Sequence, residues 1–212
     1  MAVSQTSVTD FLALVRKDGG PESYNKWSSQ YDADMNTIKY EGYKSVNSKW
    51  LSYHKNLGSA VTGVKHKIFD AGCGTGLLGE DLIAQVPRDL VEIHGGDVTP
   101  DMLEIAKTKN AYVDLQIVDL KGELPYEAEY FNSVLCAGVF TWGHCGPECL
   151  PNLIRVLKKD CYLIVSVNGT FYEETKLDWE RHIQDCNCEL LEDNEVPYVD
   201  GAKGVVLVAH KL

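Results

Sequence analysis

The sequence lacks an excess of positive charge. It has 31 aspartate and glutamate residues against 20 lysine and arginine residues, and its formal net charge is −11. No lysine- or arginine-rich patch or arm stands out along the chain. Nucleic-acid-binding proteins usually need such clusters to neutralise phosphates, and anionic membrane surfaces attract the same clusters. The composition therefore predicts no nucleic-acid partner and no membrane partner.

Long apolar runs are also missing. No stretch approaches the roughly 20 residues needed to cross a bilayer, and Met1–Asp10 lacks the apolar run of a signal peptide. The seven cysteines are an odd number and are scattered along the chain. These features predict a soluble, cytoplasmic protein with reduced thiols.

Metal-binding spacing is absent as well. Zinc sites usually show repeated C-x-x-C spacing or clear histidine pairs. His144, Cys145 and Cys149 lie near one another in the sequence, and Cys186-Asn187-Cys188 contains a further pair of thiols. Neither group has the spacing that zinc sites usually show, so we expect no bound metal.

The chain divides into two parts by pattern. The segment Pro21–Leu57 is polar and rich in tyrosine and tryptophan, several of them at helical spacing. It predicts two or more helices, broken near Tyr31-Asp32, after a short helix around Phe11–Val15. We expect residues 1–60 to form a helical cap, which either closes over a site as a lid or simply packs on the rest. Residues 61–212 form the core, and the whole is one compact unit.

From His66 onward, apolar runs of strand length alternate with helical stretches, which indicates a parallel sheet. The predicted strands are Lys67–Ala71, Glu92–Asp97, Val113–Val118, Ser133–Ala137 and Tyr162–Val167. The predicted helices are Leu77–Gln85, Pro100–Lys109, Pro147–Leu157 and Glu173–Gln184. The segments Glu195–Tyr198 and Val205–His210 predict a hairpin around Asp200-Gly201.

A glycine-rich loop joins the first predicted strand to the first predicted core helix. Strand, glycine loop and helix together form the setting in which such a loop binds a nucleotide-like ligand. A dinucleotide loop would need a small residue at position 77, which is Leu77; the third glycine comes early, at Gly76. Asp70, two residues before Gly72, favours a ligand with a positive group such as an α-amine. The alternative is a plain tight turn.

Two further acids end the next predicted strands. Asp97 could accept hydrogen bonds from both hydroxyls of a ribose, or could be a helix N-terminal acid. Asp119 could accept from an adenine amine, or could be a solvated loop carboxylate. Met102 could lie against an adenine or ribose face, or could be ordinary core. Ligands of open α/β sheets bind outside the carboxyl ends of the strands, where the small residues Ala137-Gly138 also fall.

With these motifs the sequence resembles the class I S-adenosylmethionine-dependent methyltransferases. The resemblance rests on DAGCGTG (70–76), GGDVTPDMLEIAK (95–107), VDL (118–120), FNSVLCAGVF (131–140) and LPNLIRVLKK (150–159). The segment KWSSQYDADM (26–35) is similar to that of one subgroup, the methyltransferase-like proteins of the Williams-Beuren chromosomal region. The resemblance spans roughly residues 24–170, so the part beyond Phe171 is individual.

The resemblance implies a Rossmann-like α/β fold: a seven-stranded, mostly parallel sheet with helices on both faces, a C-terminal antiparallel hairpin and an N-terminal helical cap. It implies S-adenosyl-L-methionine as cofactor and S-adenosyl-L-homocysteine as product. By resemblance, Asp70 and the backbone of Gly72, Cys73, Gly74, Thr75 and Gly76 would hold the methionyl end, Asp97 the ribose, and Asp119 with the Leu120 backbone the adenine. Ala137 and Gly138 would flank the cofactor, and Trp27 and Tyr31 would close over it. From their positions beside these motifs, we also expect cofactor contacts from Ala71, Val98, Met102 and, in the loop after the fourth strand, Trp142.

The methyl acceptor is not identified by the sequence. A thiol or amine acceptor would need only positioning, whereas a hydroxyl or carbon acid would need a base. His144 is the best candidate for that base, and Tyr31 and Tyr40 are weaker ones. We expect a small-molecule acceptor. A protein or peptide methyltransferase and a non-catalytic cofactor-binding protein are the alternatives, and the oligomeric state stays open.

Overall fold

A computed structural model describes residues 20–55, 57, 63–199 and 201–212. Its first helices are α1 (Pro21–Thr37) and α2 (Gly42–Tyr53). Because α1 runs unbroken through Tyr31-Asp32, the break predicted there is wrong; the chain turns instead between residues 38 and 41, where Lys39 adopts a φ of 50°. The sequence at the predicted break contains no glycine or proline, so nothing there ends a helix. The helix predicted around Phe11–Val15 lies outside the described residues.

The core alternates strands and helices as the sequence predicts. Its strands are β1 (His66–Ala71), β2 (Val91–Asp97), β3 (Asp114–Ile117), β4 (Phe131–Phe140), β5 (Leu157–Asn168), β6 (Cys188–Val199) and β7 (Ala202–Lys211). Its helices are α3 (Leu77–Gln85), α4 (Pro100–Thr108), α5 (Leu150–Val156) and α6 (Gly169–Asp185), with a 3₁₀ turn at Pro147–Cys149 before α5.

One seven-stranded sheet carries the fold, in the order β3-β2-β1-β4-β5-β7-β6. Strands β1 to β5 pair in parallel, and β7 pairs antiparallel with both β5 and β6. The predicted Rossmann-like, mostly parallel sheet with a C-terminal antiparallel hairpin is therefore confirmed. The order reverses between β1 and β4, and such switch points are where open α/β sheets bind ligands.

Apolar layers cover both faces of the sheet, as parallel strands require. One layer packs α5 and α6 against the sheet through Phe131, Leu153 and Trp179. The other includes Val46 and Trp50 of α2, and the Trp50 indole N–H donates to Ser133 Oγ at 2.9 Å. Helix α2 is thus part of the core layer. No helix in the described ranges is long and apolar enough to cross a membrane.

Candidate functional site

A cavity of about 310 Å³ opens at the carboxyl edge of the parallel strands. Asp70 stands near the end of β1, Asp97 at the end of β2, Asp119 after β3, and Gly138 near the end of β4. Neighbouring strands lie about 4.8 Å apart, so the sheet order sets these four positions in a row. The structure brings the three carboxylates to one cavity, and all three residues line it.

Most of the residues singled out from the sequence line this cavity. They are Tyr31, Asp70, Gly72, Cys73, Gly74, Thr75, Asp97, Val98, Met102, Asp119, Leu120, Ala137, Gly138 and His144. Four others do not line it: Trp27, Ala71, Gly76 and Trp142. Trp27 donates its indole N–H to Asp34 at 2.6 Å, and Trp142 donates to Glu174 at 2.8 Å and packs on Phe171.

The glycine loop is fixed to the neighbouring strand by its own backbone. The N–H groups of Gly72 and Cys73 donate to the carbonyl of Gly96 at 2.7 and 3.0 Å. The following N–H along the loop, that of Gly74, donates to the Asp97 carboxylate at 2.9 Å. The loop therefore faces the cavity in a defined shape, and Asp97 holds its tip.

Asp70 is a carboxylate buried at the floor of the cavity. Its side chain is 1% exposed, and the Tyr112 hydroxyl donates to it at 2.7 Å. Burial raises the pKa of Asp70 to about 7; the hydrogen bond from Tyr112 lowers it, and the charge of Asp97 raises it further. Within the part of the chain that the structure describes, no cation contributes to this shift. A cationic group of a ligand would therefore stabilise the ionised carboxylate.

Tyr112 is a functional neighbour that the sequence analysis missed. Its ring occupies the space that side chains at Gly76, Gly79 and Gly95 would fill. The only sequence signal is that small residues recur on three separate elements, and nothing in the sequence says which ring they surround. Tyr112 therefore becomes visible only through contacts between distant parts of the chain.

Asp97 uses both carboxylate oxygens. One accepts from the Gly74 N–H, and the other accepts from the Thr99 N–H at 2.9 Å. Burial raises the pKa of Asp97, and the hydrogen bond from Gly74 partly offsets that rise. Its immediate neighbours on the cavity wall are the half-exposed Val98 and the buried Met102. This part of the cavity is an acid beside an apolar surface, which suits a sugar and a flat ring.

The far end of the cavity lies beyond β3. Asp119 is exposed, and one of its oxygens accepts from the Lys121 N–H at 2.9 Å. Val118 and Leu120 are buried on either side of it and line the same cavity. An apolar slot with one carboxylate at its mouth is able to hold a heterocycle that carries an amine.

Helix α1 covers the cavity from above. Tyr24 and Tyr31 of this helix line the cavity. Asp32 connects α1 to the glycine loop by accepting from the Thr75 hydroxyl at 2.5 Å, and it pairs with Lys109, just after α4, at 2.8 Å. The Tyr24 hydroxyl lies 3.3 Å from His144 Nε2, and their rings contact each other edge-on. The contact joins α1 to the loop after β4.

Several lining residues were not predicted as cofactor contacts. They include Tyr24, Tyr40, Tyr43, Thr99, Val139 and Cys145. The three tyrosines belong to the aromatic-rich segment that the sequence analysis identified as a cap, so a general signal was present. In the described residues, no group of three or more His, Cys, Asp or Glu side chains is placed to hold a metal ion.

Comparison with known proteins points to one kind of domain. Residues 68–160 match the family described as "Methyltransferase domain". Human "Methyltransferase-like protein 27" is 31% identical over 133 residues, which are 61% of this chain and 50% of that protein. "Malonyl-[acyl-carrier protein] O-methyltransferase" of Acetivibrio thermocellus is 25% identical over 146 residues, 68% of this chain and 51% of that protein. The chain spans about half the length of the curated relatives it matches.

Solved structures share the fold. Magnesium protoporphyrin IX methyltransferase from Synechocystis PCC 6803, solved with S-adenosylmethionine bound, superposes with a TM-score of 0.64 at 16% identity and covers 100% of both chains. At this identity the likeness shows the fold alone. The matched domain, residues 68–160, contains the glycine loop and the three carboxylates. These residues therefore lie on a fold that the solved methyltransferase structure shares.

Proposed function

We propose that the protein is an S-adenosylmethionine-dependent methyltransferase that acts on a small-molecule acceptor. The observation that carries the proposal is the row of Asp70, Asp97 and Asp119 around one cavity at the carboxyl edge of the sheet. The methyltransferase domain matched by residues 68–160 supports the same activity.

The residues of the cavity fit this cofactor. Asp70 is a buried carboxylate whose pKa is shifted by no cationic side chain among the described residues, and the α-ammonium of a methionyl group would supply that cation. Asp97 would accept from the ribose hydroxyls, and Asp119 would accept from the adenine amine between Val118 and Leu120. The bound group supplies an activated methyl on a sulfonium. The protein supplies binding, orientation and a negative surrounding.

For His144 we propose a closing role. Its Nε2 atom is within hydrogen-bond distance of the Tyr24 hydroxyl, so its known partner belongs to the cover of the cavity. The catalytic role of His144 stays a prediction from sequence. A small-molecule acceptor is supported by the matched O-methyltransferase, whose name refers to a malonyl group, and by the porphyrin methyltransferase that shares the fold.

The test of this function is a transfer assay with methyl-tritiated S-adenosylmethionine. The protein is incubated with fractionated small-molecule pools, with peptide pools and with buffer alone, and label is counted in each product fraction. We expect label in a small-molecule fraction. Label confined to peptides would make the protein a peptide methyltransferase. Tight cofactor binding with label in no fraction would make it a binding protein.

Cofactor affinity should depend on pH through Asp70. Burial raises its pKa to about 7, so the ligand-free protein holds a proton there at pH 6 that the unfolded chain, with a pKa of about 3.9, has lost. A bound ammonium favours the ionised form of Asp70, so S-adenosylhomocysteine should bind more weakly at pH 6 than at pH 8. At pH 6, where Asp70 is mainly protonated before binding, binding should release a proton. Calorimetry in buffers of different ionisation enthalpy measures both quantities.

The matched control for this prediction is Asp70→Asn, which should bind weakly at both pH values and release no proton. An equal affinity of the unchanged protein at pH 6 and pH 8, with no proton release, would contradict the role of Asp70. In the ligand-free protein the same raised pKa has a further consequence. The contribution of this group to stability falls as pH rises from about 4 to about 7.

Of the predicted cap over residues 1–60, we also propose that the part containing α1 acts as a lid, because Tyr24 and Tyr31 line the cofactor cavity, whereas α2 packs in the core layer. Ordering of a lid on binding would exclude water from the reaction. Limited proteolysis with and without S-adenosylhomocysteine tests this: we expect slower cleavage in residues 1–50 with the ligand. Equal cleavage would contradict it, and cleavage within the β6–β7 hairpin serves as the internal reference.

Two further proposals concern the cellular compartment of the protein and its subgroup among methyltransferases. All seven cysteines are free thiols, which supports a reducing compartment and hence the cytoplasm; cell fractionation tests this. Membership of the Williams-Beuren subgroup of methyltransferase-like proteins is supported by the 31% identity to human Methyltransferase-like protein 27 over part of each chain. Transfer to an acceptor shared with that protein would test it.

A further inference from the structure

A second cavity adjoins the first. It has a volume of about 620 Å³ and lies between the end of α1, the α1–α2 turn and the β6–β7 hairpin. Cavities that bind small molecules commonly have volumes of about 300–1,000 Å³. Tyr40, Tyr43 and Leu77 line both cavities. These three residues therefore form a shared wall between the cavities.

The shared wall contacts the β4 end of the first cavity, away from Asp119. The strand order β3, β2, β1, β4 sets Asp119, Asp97, Asp70 and Gly138 in succession. Tyr40 reaches the last of these, because a Cβ added to Gly138 would be 2.8 Å from the Tyr40 hydroxyl oxygen. With adenosine over β3 and β2, as proposed above, the methionyl part extends toward Tyr40. The inference that follows rests on that proposed function.

Tyr40 places a polar group at this wall. The side chain is 9% exposed, and its buried hydroxyl forms no hydrogen bond of standard geometry in the described part of the chain, although the Ser166 hydroxyl is near enough to lower its pKa. The ring is held edge-on against Tyr198 at 5.4 Å, and a Cβ on Gly42 would be 2.5 Å from the hydroxyl oxygen. A buried hydroxyl without a partner costs stability, so a ligand that accepts a hydrogen bond here would recover that cost.

The Tyr40 hydroxyl is a donor and not a base. Burial raises its pKa well above the usual value, so it keeps its proton at neutral pH. Among the described residues, the lining of the second cavity contains no histidine. Of the carboxylates in that lining, Asp32 pairs with Lys109, Glu195 pairs with Lys203, and Glu41 is exposed at the rim. Without a base, this wall suits an acceptor that needs no deprotonation. Because the Tyr40 hydroxyl donates, it favours an anionic oxygen over an amine, which is protonated at neutral pH and cannot accept a hydrogen bond.

We propose that the second cavity is the methyl-acceptor site, that the acceptor is a small-molecule carboxylate, and that Tyr40 binds it by donating a hydrogen bond to one carboxylate oxygen. The carboxylate forms an oxygen–carbon bond to the methyl group while the carbon–sulfur bond of S-adenosylmethionine breaks. The electron pair of that bond stays on sulfur. The products are a methyl ester and S-adenosylhomocysteine, and no proton is released.

The chemistry of the product tests the acceptor class. The probes are matched sets of acid, alcohol and amine on one skeleton, such as benzoate, benzyl alcohol and benzylamine, and decanoate, decanol and decylamine, together with a small-molecule extract. Label from methyl-tritiated S-adenosylmethionine is measured before and after mild alkali, which releases the methyl of an ester as volatile methanol. We expect base-labile label from acids and from the extract, with a rate that, at saturating S-adenosylmethionine, is flat between pH 6 and pH 9.

The variant Tyr40→Phe tests the residue. Because hydrogen bonds to charged groups are among the stronger ones, we expect kcat/KM for the acid to fall about 10- to 100-fold, mainly through KM. The affinity for S-adenosylhomocysteine should change less than about twofold. The melting temperature of the ligand-free protein should not fall, since no intramolecular hydrogen bond is lost. Tyr126→Phe is the matched control, because it also removes a buried, unpaired hydroxyl but outside both cavities.

The outcomes separate this inference from the function on which it rests. Failure to bind S-adenosylmethionine would overturn the proposed function. Binding with transfer only to alcohols, amines or thiols, as base-stable label, would overturn the carboxylate acceptor and leave the function standing. Absence of base-labile label from every acid and from the extract would also overturn it. A Tyr40→Phe variant with unchanged KM, or with a lowered melting temperature, would show that the hydroxyl is structural.

Discussion

Replacing Asp97 by alanine should weaken binding of S-adenosylhomocysteine by about 100- to 10,000-fold. In the proposed complex its two oxygens accept from ribose hydroxyls, and each hydrogen bond to a charged group contributes about 1.5–3 kcal/mol. Every 1.4 kcal/mol corresponds to a factor of ten in affinity. The variant also removes the acceptor that holds the Gly74 N–H, so the tip of the glycine loop loses its support. Isothermal titration calorimetry measures the change.

The control for this variant is Asp101→Ala, which removes an exposed carboxylate one turn away on α4 without altering the cavity. Its affinity should stay within about twofold of the unchanged protein. Asp97→Asn keeps the shape but loses the charge, and it should fall between the two. An Asp97→Ala variant that folds and binds as tightly as Asp101→Ala would reject the ribose role of Asp97.

Alanine substitutions at Gly72 and Gly74 should separate stability from binding. Both glycines have positive φ, at 73° and 52°, where an L residue costs about 1–2 kcal/mol. At Gly72 the new Cβ would also lie 2.3 Å from a methyl carbon of Val139, and such overpacking costs about 1–3 kcal/mol more. Gly72→Ala should therefore lower the free energy of unfolding by about 2–5 kcal/mol, measured by urea denaturation.

Gly74→Ala should cost only the backbone term, since nothing lies within 4 Å of its new Cβ. Because Gly74 lines the cavity, we expect the methyl group to meet the bound ligand and to weaken S-adenosylhomocysteine binding by at least about tenfold. In the Gly72→Ala background, Val139→Ala should recover about 1–2 kcal/mol, because it removes the clashing methyl group. Equal stability of the two glycine variants, or no recovery with Val139→Ala, would contradict the packing seen at this loop.

The sheet and most of its cavity were predictable because their signals are local. Apolar strands alternating with helices predict parallel pairing, and parallel pairing brings residues after successive strands to one edge. Asp70, Asp97 and Asp119 could therefore be assigned to one site before any contact was known. The glycine loop is local for the same reason, since its spacing depends on one strand–helix connection.

The remaining features depend on contacts between distant segments. Tyr112 meets Asp70 across 42 positions of sequence, and Tyr40 reaches Gly138 across the sheet edge. No periodicity encodes such pairs. Trp142 was assigned to the cavity because its loop follows β4, but its indole N–H donates a hydrogen bond to Glu174 on α6. The break predicted at Tyr31-Asp32 is wrong for a similar reason, since Asp32 contacts Thr75 and Lys109, both distant in sequence, from within a continuous helix.

The central claim is that the cavity lined by Asp70, Asp97 and Asp119 holds S-adenosylmethionine. The most direct test is calorimetry of the unchanged protein with S-adenosylmethionine, S-adenosylhomocysteine and NAD under identical conditions at pH 8. We expect stoichiometric binding of the first two ligands and no detectable binding of NAD. Tight binding of NAD, with no binding of S-adenosylmethionine, would contradict it.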